Sequence, residues 1–285
     1  MGIRAAPQSA HQMRDWLFTL PAFYAEFAPL AQHTHVVDHL YVLRDCGSLT
    51  AAGKSVFASP FRDVAFTFAA ESVGRVAVLE PSFGHRKRKR AFHGWVFGAR
   101  CNPASSWPSA TDRPAFAACL AQLTQVVRGA PSCTSILKIL DEFLDDEPKQ
   151  TKARSSEVHG FLEVAPSETK VAGLATRLGR STRTLQRKIR TFTGLSPKQL
   201  LAVERFDRAV HILPATNAKL AHVAGDLMFA DQAHLGREFR RHAGLSPGAF
   251  RHMWQRSRSQ AVRFFQDSSP TVRLRAALWA TEDSL

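Results

Sequence analysis

The spacing of apolar residues changes near the middle of the chain. In the first half they fall in short β-branched or aromatic runs, Val36–Leu43, Ser55–Ala58, Val64–Phe68 and Val73–Leu79, separated by turn residues. Runs of this kind predict strands of a β-sandwich or barrel. Phe83, Phe92, Trp95 and Phe97 continue the strand spacing and read as core, with the lining of a ligand cavity as the alternative. The period then lengthens. Phe116, Leu120, Leu123 and Val127 predict a helix over Arg113–Arg128, and Ile136, Leu137, Leu140 and Leu144 a second over about Ser135–Leu144. Asp145–Ser156 is polar, contains Pro148 and reads as a linker.

Beyond the linker every element is helical, and the pattern is written twice. Leu185, Arg187, Arg190, Gly194, Leu195, Ser196 and Pro197 recur fifty residues later as Leu235, Arg237, Arg240, Gly244, Leu245, Ser246 and Pro247. Leu174, Ala175 and Leu178 recur forty-nine residues later as Val223, Ala224 and Leu227. Repetition at such a period marks one supersecondary unit used twice. In the first copy Ser167 is the expected cap of a helix with the stripe Val171, Leu174, Ala175 and Leu178. Gly179 stops it, and Ser181 caps a second helix that buries Leu185, Ile189 and Phe192. Two short helices around a glycine turn make a helix-turn-helix. The second copy runs Leu220 to Leu227, turns through Met228–Ala230 and restarts at Asp231. Between the copies, Ser196-Pro197 opens a helix with the stripe Leu200, Val203, Phe206, Val210 and Leu213, which Pro214 closes. Seventeen helical residues span about 25 Å, which could set two recognition helices near the ~34 Å repeat of the major groove.

The polar face of each second helix carries the chemistry. Arg183, Gln186, Arg187 and Arg190 share one side of the first, and Gln232, His234 and Arg237 one side of the second. Arginine can bond guanine bidentately and glutamine adenine, while other cations grip phosphate. Arg183, Gln186, Arg187, Gln232 and Arg237 are therefore among the candidates for DNA contact. Arg190, Arg240, Arg241 and His234 are the expected phosphate contacts. Gly236 lacks a side chain on this face, so fewer base contacts are expected from the second copy.

These residues resemble the AraC/XylS family of bacterial transcription regulators. The resemblance rests on Val171–Pro197 (VAGLATRLGRSTRTLQRKIRTFTGLSP) and Phe229–Pro247 (FADQAHLGREFRRHAGLSP) and covers about 100 of 285 residues. It implies a seven-helix domain of two helix-turn-helix units on a long connecting helix. By motif position, base reading falls on Arg183, Gln186 and Arg187 and on Gln232, Ala233, Gly236 and Arg237. Ala233 and Gly236 depart from a polar role, and Met228 stands where a turn glycine is usual. The first half is similar to the cupin-like sensor regions of many members. The resemblance also implies the transcription machinery as a partner, and activation rather than repression.

Charge follows the same division. The formal net charge is +14, and residues 151–260 hold nineteen Lys/Arg against eight Asp/Glu. A polyanion-binding domain requires this concentration. Cys46, Cys101, Cys119 and Cys133 form no C-x-x-C pair and read as reduced structural thiols. His33, His35 and His39, with His85 and His93, could suggest a metal-dependent cupin enzyme, but ordinary histidines are the better reading. No metal, cofactor or catalytic residue is expected. His85–Arg90 is the densest basic run and reads as a solvated hairpin tip.

The expected architecture is α+β in two domains. Residues 1–148 form a β-rich sensor or dimerisation domain, 149–156 a linker, 157–256 the DNA-binding domain, and 257–285 a tail of unknown role. The expected function is a sequence-specific, effector-responsive regulator of transcription, monomeric or homodimeric, with an unidentified small-molecule effector. A sequence-indifferent DNA-compacting protein is the alternative. No apolar run of membrane-spanning length or secretory pattern is present in the sequence, so a cytoplasmic, nucleoid-associated protein is expected.

Overall fold

A computed structural model of the chain describes residues 10–47, 55–69, 73–87, 92–101, 114–146, 160–162, 164–168, 170–256, 260–264 and 273–280. After a short helix α1 (Ala10–Leu17) come strands β1 (Ala22–Phe27), β2 (Val37–Cys46), β3 (Ser55–Val56), β4 (Arg62–Ala69), β5 (Arg75–Leu79), β6 (Arg86–Lys87) and β7 (His93–Cys101). Helices α2 (Pro114–Arg128) and α3 (Cys133–Asp145) follow within about two residues of their expected limits. Ser132 and Ser135 close a capping box at the start of α3, which fixes where that helix begins.

The β-rich, then helical, organisation of the first half and the all-helical second half are as expected. Seven strands pair antiparallel in one sheet of order β5-β4-β7-β2-β1-β9-β8, and β3 pairs with β6 in a separate ribbon. Helices α2 and α3 cover one face. Phe66 meets Phe116 and Phe143 there, and Leu40, Val42, Val64 and Phe97 pack against Leu123, Ile136 and Leu140. Strands β8 (Gln260–Phe264) and β9 (Leu274–Ala280) come from beyond the last helix, and β9 pairs along the whole of β1. Arg273 fastens this return: Nε donates to the Ala28 carbonyl at 2.7 Å, and the guanidinium spans both carboxylate oxygens of Asp141 on α3.

The second half comprises α4 (Val171–Arg177), α5 (Thr182–Thr193), α6 (Pro197–Ala215), α7 (Leu220–Asp226), α8 (Gln232–Ala243) and α9 (Pro247–Arg256). It has two cores. Leu174, Ala175, Leu185, Ile189 and Leu195 form the first, and Val223, Ala224, Leu227, Leu235, Phe239 and Phe250 the second. Helix α6 serves both: Leu200 and Leu201 enter the first, while Val203, Phe206, Ala209 and Leu213 enter the second. One rigid rod thereby sets the relative placement of the two units. Its nineteen residues span about 28 Å at 1.5 Å each. Pro214 lies inside the last turn rather than closing the helix.

Candidate nucleic-acid interface

The two helix-turn-helix units are built by the same backbone bonds. Gly179 at φ 60° and Met228 at φ 57° reverse the chain after the first helix of each unit. Arg180 N then donates to Ala175 O at 2.9 Å, and Phe229 N to Ala224 O at 2.8 Å. Methionine pays a steric penalty in this left-handed region that glycine escapes, of about 1–2 kcal/mol. The Arg205 guanidinium holds the Met228 carbonyl at 3.2 Å and steadies the strained turn. Ser181 and Asp231 cap the recognition helices α5 and α8 by accepting from Thr184 N and His234 N. Gly194 and Gly244 end both helices with positive φ. At the start of α4 the expected cap is displaced: Lys170 is the N-cap, while Ser167 lies in a preceding 3-10 turn, where its hydroxyl bonds Val164 O. Glu168 instead accepts from Lys170 N at 2.9 Å.

Leu185 and Ile189 face inward on α5, so Arg183, Gln186, Arg187 and Arg190 are left exposed along the opposite side. On α8, burial of Leu235 and Phe239 leaves Gln232, Ala233, Arg237 and Arg240 exposed. Among the described residues no carboxylate pairs with Arg183, Arg187, Arg190, Arg237 or Arg240. Five guanidinium groups at helical spacing therefore meet water without an internal partner, which suits a phosphate-rich ligand.

Two of the expected phosphate contacts are otherwise engaged. Half-buried His234 accepts from Ala230 N at 3.3 Å and lies edge-on to Phe229, so its ring closes its own turn. Arg241 is exposed but donates to Glu238 at 3.0 Å, with its guanidinium above the Phe83 ring. Phe83 belongs to the first half of the chain, and this contact is part of a larger seam.

Across that seam the β-rich half grips the second unit. His242, fully buried at the end of α8, shares a hydrogen bond through Nδ1 with Phe83 O at 2.6 Å, while its own carbonyl accepts from Ala58 N at 3.0 Å. Burial holds the His242 imidazole below its ordinary pKa. His85 Nδ1 lies 3.1 Å from Arg241 O. His85 therefore sits against α8, and Arg86–Lys87 are paired in β6, which corrects the expectation of a solvated tip at this part of the basic run. The rest of the run lies outside the described residues.

A second part of the seam joins the sheet to α6. Glu26 on β1 receives the Tyr24 hydroxyl at 3.0 Å and lies 3.8 Å from His39 Nε2 and 3.7 Å from His211 Nε2. Arg100 on β7 donates to Asp63 at 3.0 Å and stands 3.8 Å from Asp207 on α6. This cluster escaped sequence reasoning. The available signal was the i, i+4 spacing of Asp207 and His211 on the side of α6 away from its apolar stripe.

A comparison with protein families falls on the same residues. A model described as a helix-turn-helix domain matches residues 174–253. The HTH-type transcriptional activator RhaS of Escherichia fergusonii is 34% identical over 104 residues, which are 36% of this chain and 37% of that protein. The chain carries a DNA-binding domain of the AraC type. It spans little more than a third of the curated relative's length. Among solved structures, the DNA-binding domain of AdpA in complex with a target DNA is 33% identical, covers 36% of this chain and 94% of that one, and has a TM-score of 0.34. ToxT from Vibrio cholerae with bound unsaturated fatty acid is 12% identical, covers 81% and 95%, and has a TM-score of 0.42.

The other candidate residues are dispersed. His33 lies 3.2 Å from Asp145, His39 faces Glu26, and His85 touches α8, so these histidines do not converge. Among the described residues no group of three or more His, Cys, Asp or Glu could hold a metal ion. All four cysteines are free, and burial pushes the Cys119 and Cys133 thiols up to about 12, which keeps them protonated and unreactive. Among the described residues no helix is long and apolar enough to cross a membrane.

Proposed function

We propose that this protein is a sequence-specific regulator of transcription, an activator whose AraC-type domain inserts α5 and α8 into successive major grooves of one duplex. The observation that carries the reading is the paired set of exposed, unpartnered arginines on two recognition helices mounted on α6. On this reading Arg183, Gln186 and Arg187 read bases from α5, and Gln232 and Arg237 from α8. Arg190 and Arg240 hold phosphates, with Arg241 and His234 as secondary contacts. Residues 1–148 serve as a sensory or dimerising domain for a small-molecule effector, 149–156 as a linker and 157–256 as the DNA-binding domain. The protein acts as a monomer or homodimer in the cytoplasm and recruits the transcription machinery. The seam between Phe83 and His242, together with that between Glu26 and His211, gives the first half a physical hold on the second.

Selection of bound duplexes from a random pool tests the reading directly. Two sequence-restricted half-sites about one helical turn apart are expected. Enrichment of no sequence, with equal weakening of all duplexes by Arg187→Ala, would support DNA compaction instead.

A further inference from the structure

The β-rich half contains a cavity of about 700 Å³ at one end of the large sheet, beneath the last turn of α2. This volume lies within the range of small-molecule sites. The site is formed by three neighbouring strands. Trp95 on β7 sits directly opposite Arg44 on β2 and Phe68 on β4, so the three side chains share one face. The Arg44 guanidinium lies over the indole at 5.0 Å, and Val127 and Arg128 of α2 complete the wall.

Arg44 is the unusual member. It is half-buried, and Nη1 donates to the carbonyl of Leu20 at 2.8 Å, yet no carboxylate among the described residues forms an ion pair with it. Burial lowers its pKa, the mark of a cation short of a counter-charge. Asp45 also lines the cavity, but it alternates to the opposite side of β2, where Oδ1 accepts from Gly47 N at 2.8 Å. A second cation, Arg128, stands exposed at the rim. Guanidinium groups bind carboxylates through paired charge-assisted bonds, while flat aromatic faces take flat apolar bodies.

We infer that this cavity binds a small organic carboxylate with a flat apolar body, its anion met by Arg44 and Arg128 and its ring by Trp95 and Phe68. The inference deepens the sensory role proposed for this half of the chain and does not depend on the DNA reading. Strand β7 leads from Trp95 to Arg100, and β2 from Arg44 to His39. An occupant at one end of these strands therefore lies on the elements whose other ends meet α6.

Calorimetric titration of the full chain with naphthoate tests the site, with naphthamide as a neutral control of the same shape. Naphthoate should bind at least about tenfold more tightly than the amide, as expected where a charged partner supplies the difference. Arg44→Lys and Arg128→Gln should each weaken naphthoate binding by about fivefold or more. Arg128 is exposed, so that variant should keep its far-ultraviolet circular dichroism and melting temperature. The inference is overturned if naphthoate does not bind at millimolar concentration, if the amide binds equally well, or if binding survives both substitutions unchanged. DNA binding by the same preparations, measured separately, distinguishes failure of this site from failure of the regulatory reading.

Discussion

Glu26 on the first strand and His211 on the connecting helix meet with Oε1 and Nε2 3.7 Å apart, although 185 positions separate them in sequence. Burial opposes the Glu26 charge, but His39, His211 and Arg100 outweigh it and hold the carboxyl well below the usual carboxylate range. Burial opposes the His211 charge as well, yet the Glu26 hydrogen bond and Asp207 raise its pKa to about 9. Charged Glu26 and protonated His211 thus stabilise each other at the junction of sheet and DNA-binding domain.

The sign of the resulting pH dependence follows. A histidine raised to about 9 contributes stability that is complete below its ordinary value and is lost as pH rises through 9. The His211 side chain is 36% exposed, so solvent screening leaves a contribution on the order of 1 kcal/mol. Urea melts from pH 6 to 10 should therefore lose about this much stability across the upper half of the range. In His211→Gln that loss should be absent, and stability near pH 6 should already be lower. An unchanged pH profile in the variant would place the effect elsewhere.

The arginines of the recognition helices should separate by salt dependence. Arg187→Ala is expected to cost about 1–3 kcal/mol on the selected duplex and to relax preference at one base position. Arg190→Ala and Arg240→Ala should instead weaken all duplexes alike and reduce the slope of log affinity against log salt by about 1 each. Fluorescence anisotropy at several salt concentrations measures both quantities. Arg241→Ala should change the slope less than Arg240→Ala, because its guanidinium already serves Glu238 and Phe83.

The position fifty residues before His242 holds Phe192, so His242→Phe replaces one repeat's solution with the other's. The ring contacts with Phe83 and Phe206 can persist, but the hydrogen bond to Phe83 O is lost. A cost of about 1–2 kcal/mol is expected from a buried carbonyl left without its donor. The pH effect is opposite to that of His211. Burial depresses the His242 pKa, so its contribution is present above the ordinary histidine value and is lost as pH falls below it. His242→Phe should therefore flatten the stability profile below about pH 6.5. Melts that keep the wild-type acid slope would refute this account.

The duplicated helices were legible because their information is local. Caps such as Ser181 and Asp231, the turn at Gly179 and the inward pair Leu185 and Ile189 all act within one or two turns. Strand β1 offered no such signal: Ala22–Phe27 is buried at five of six positions, so no alternation marks it. Its partner β9 comes from the far end of the chain, and that pairing has no short-range cue. The recognition faces could be read because exposure follows from the apolar stripe opposite. The seam could not, because Glu26 and His242 are residue types that usually face water, and only long-range packing buries them. His39 shows the same limit: in sequence it stands with His33 and His35 in a pattern that suggests a metal site, whereas its neighbours are Glu26 and Asp38.

Glu204, on the connecting helix, is an internal source of instability. It is 8% exposed, and its Oε2 has no hydrogen-bond partner among the described residues. Burial raises the carboxyl to about 7 against the opposing pull of Arg208 and Arg205. An acid raised in this way stabilises the fold while protonated, and that advantage is lost as pH rises through 7. Glutamine keeps the shape without the charge. Glu204→Gln is therefore expected to stabilise the protein by about 1–3 kcal/mol at pH 8 and to change little at pH 5. Urea melts at the two pH values measure the difference directly. A destabilised variant at pH 8 would mean that attraction to Arg208 and Arg205 exceeds the cost of burying the charge.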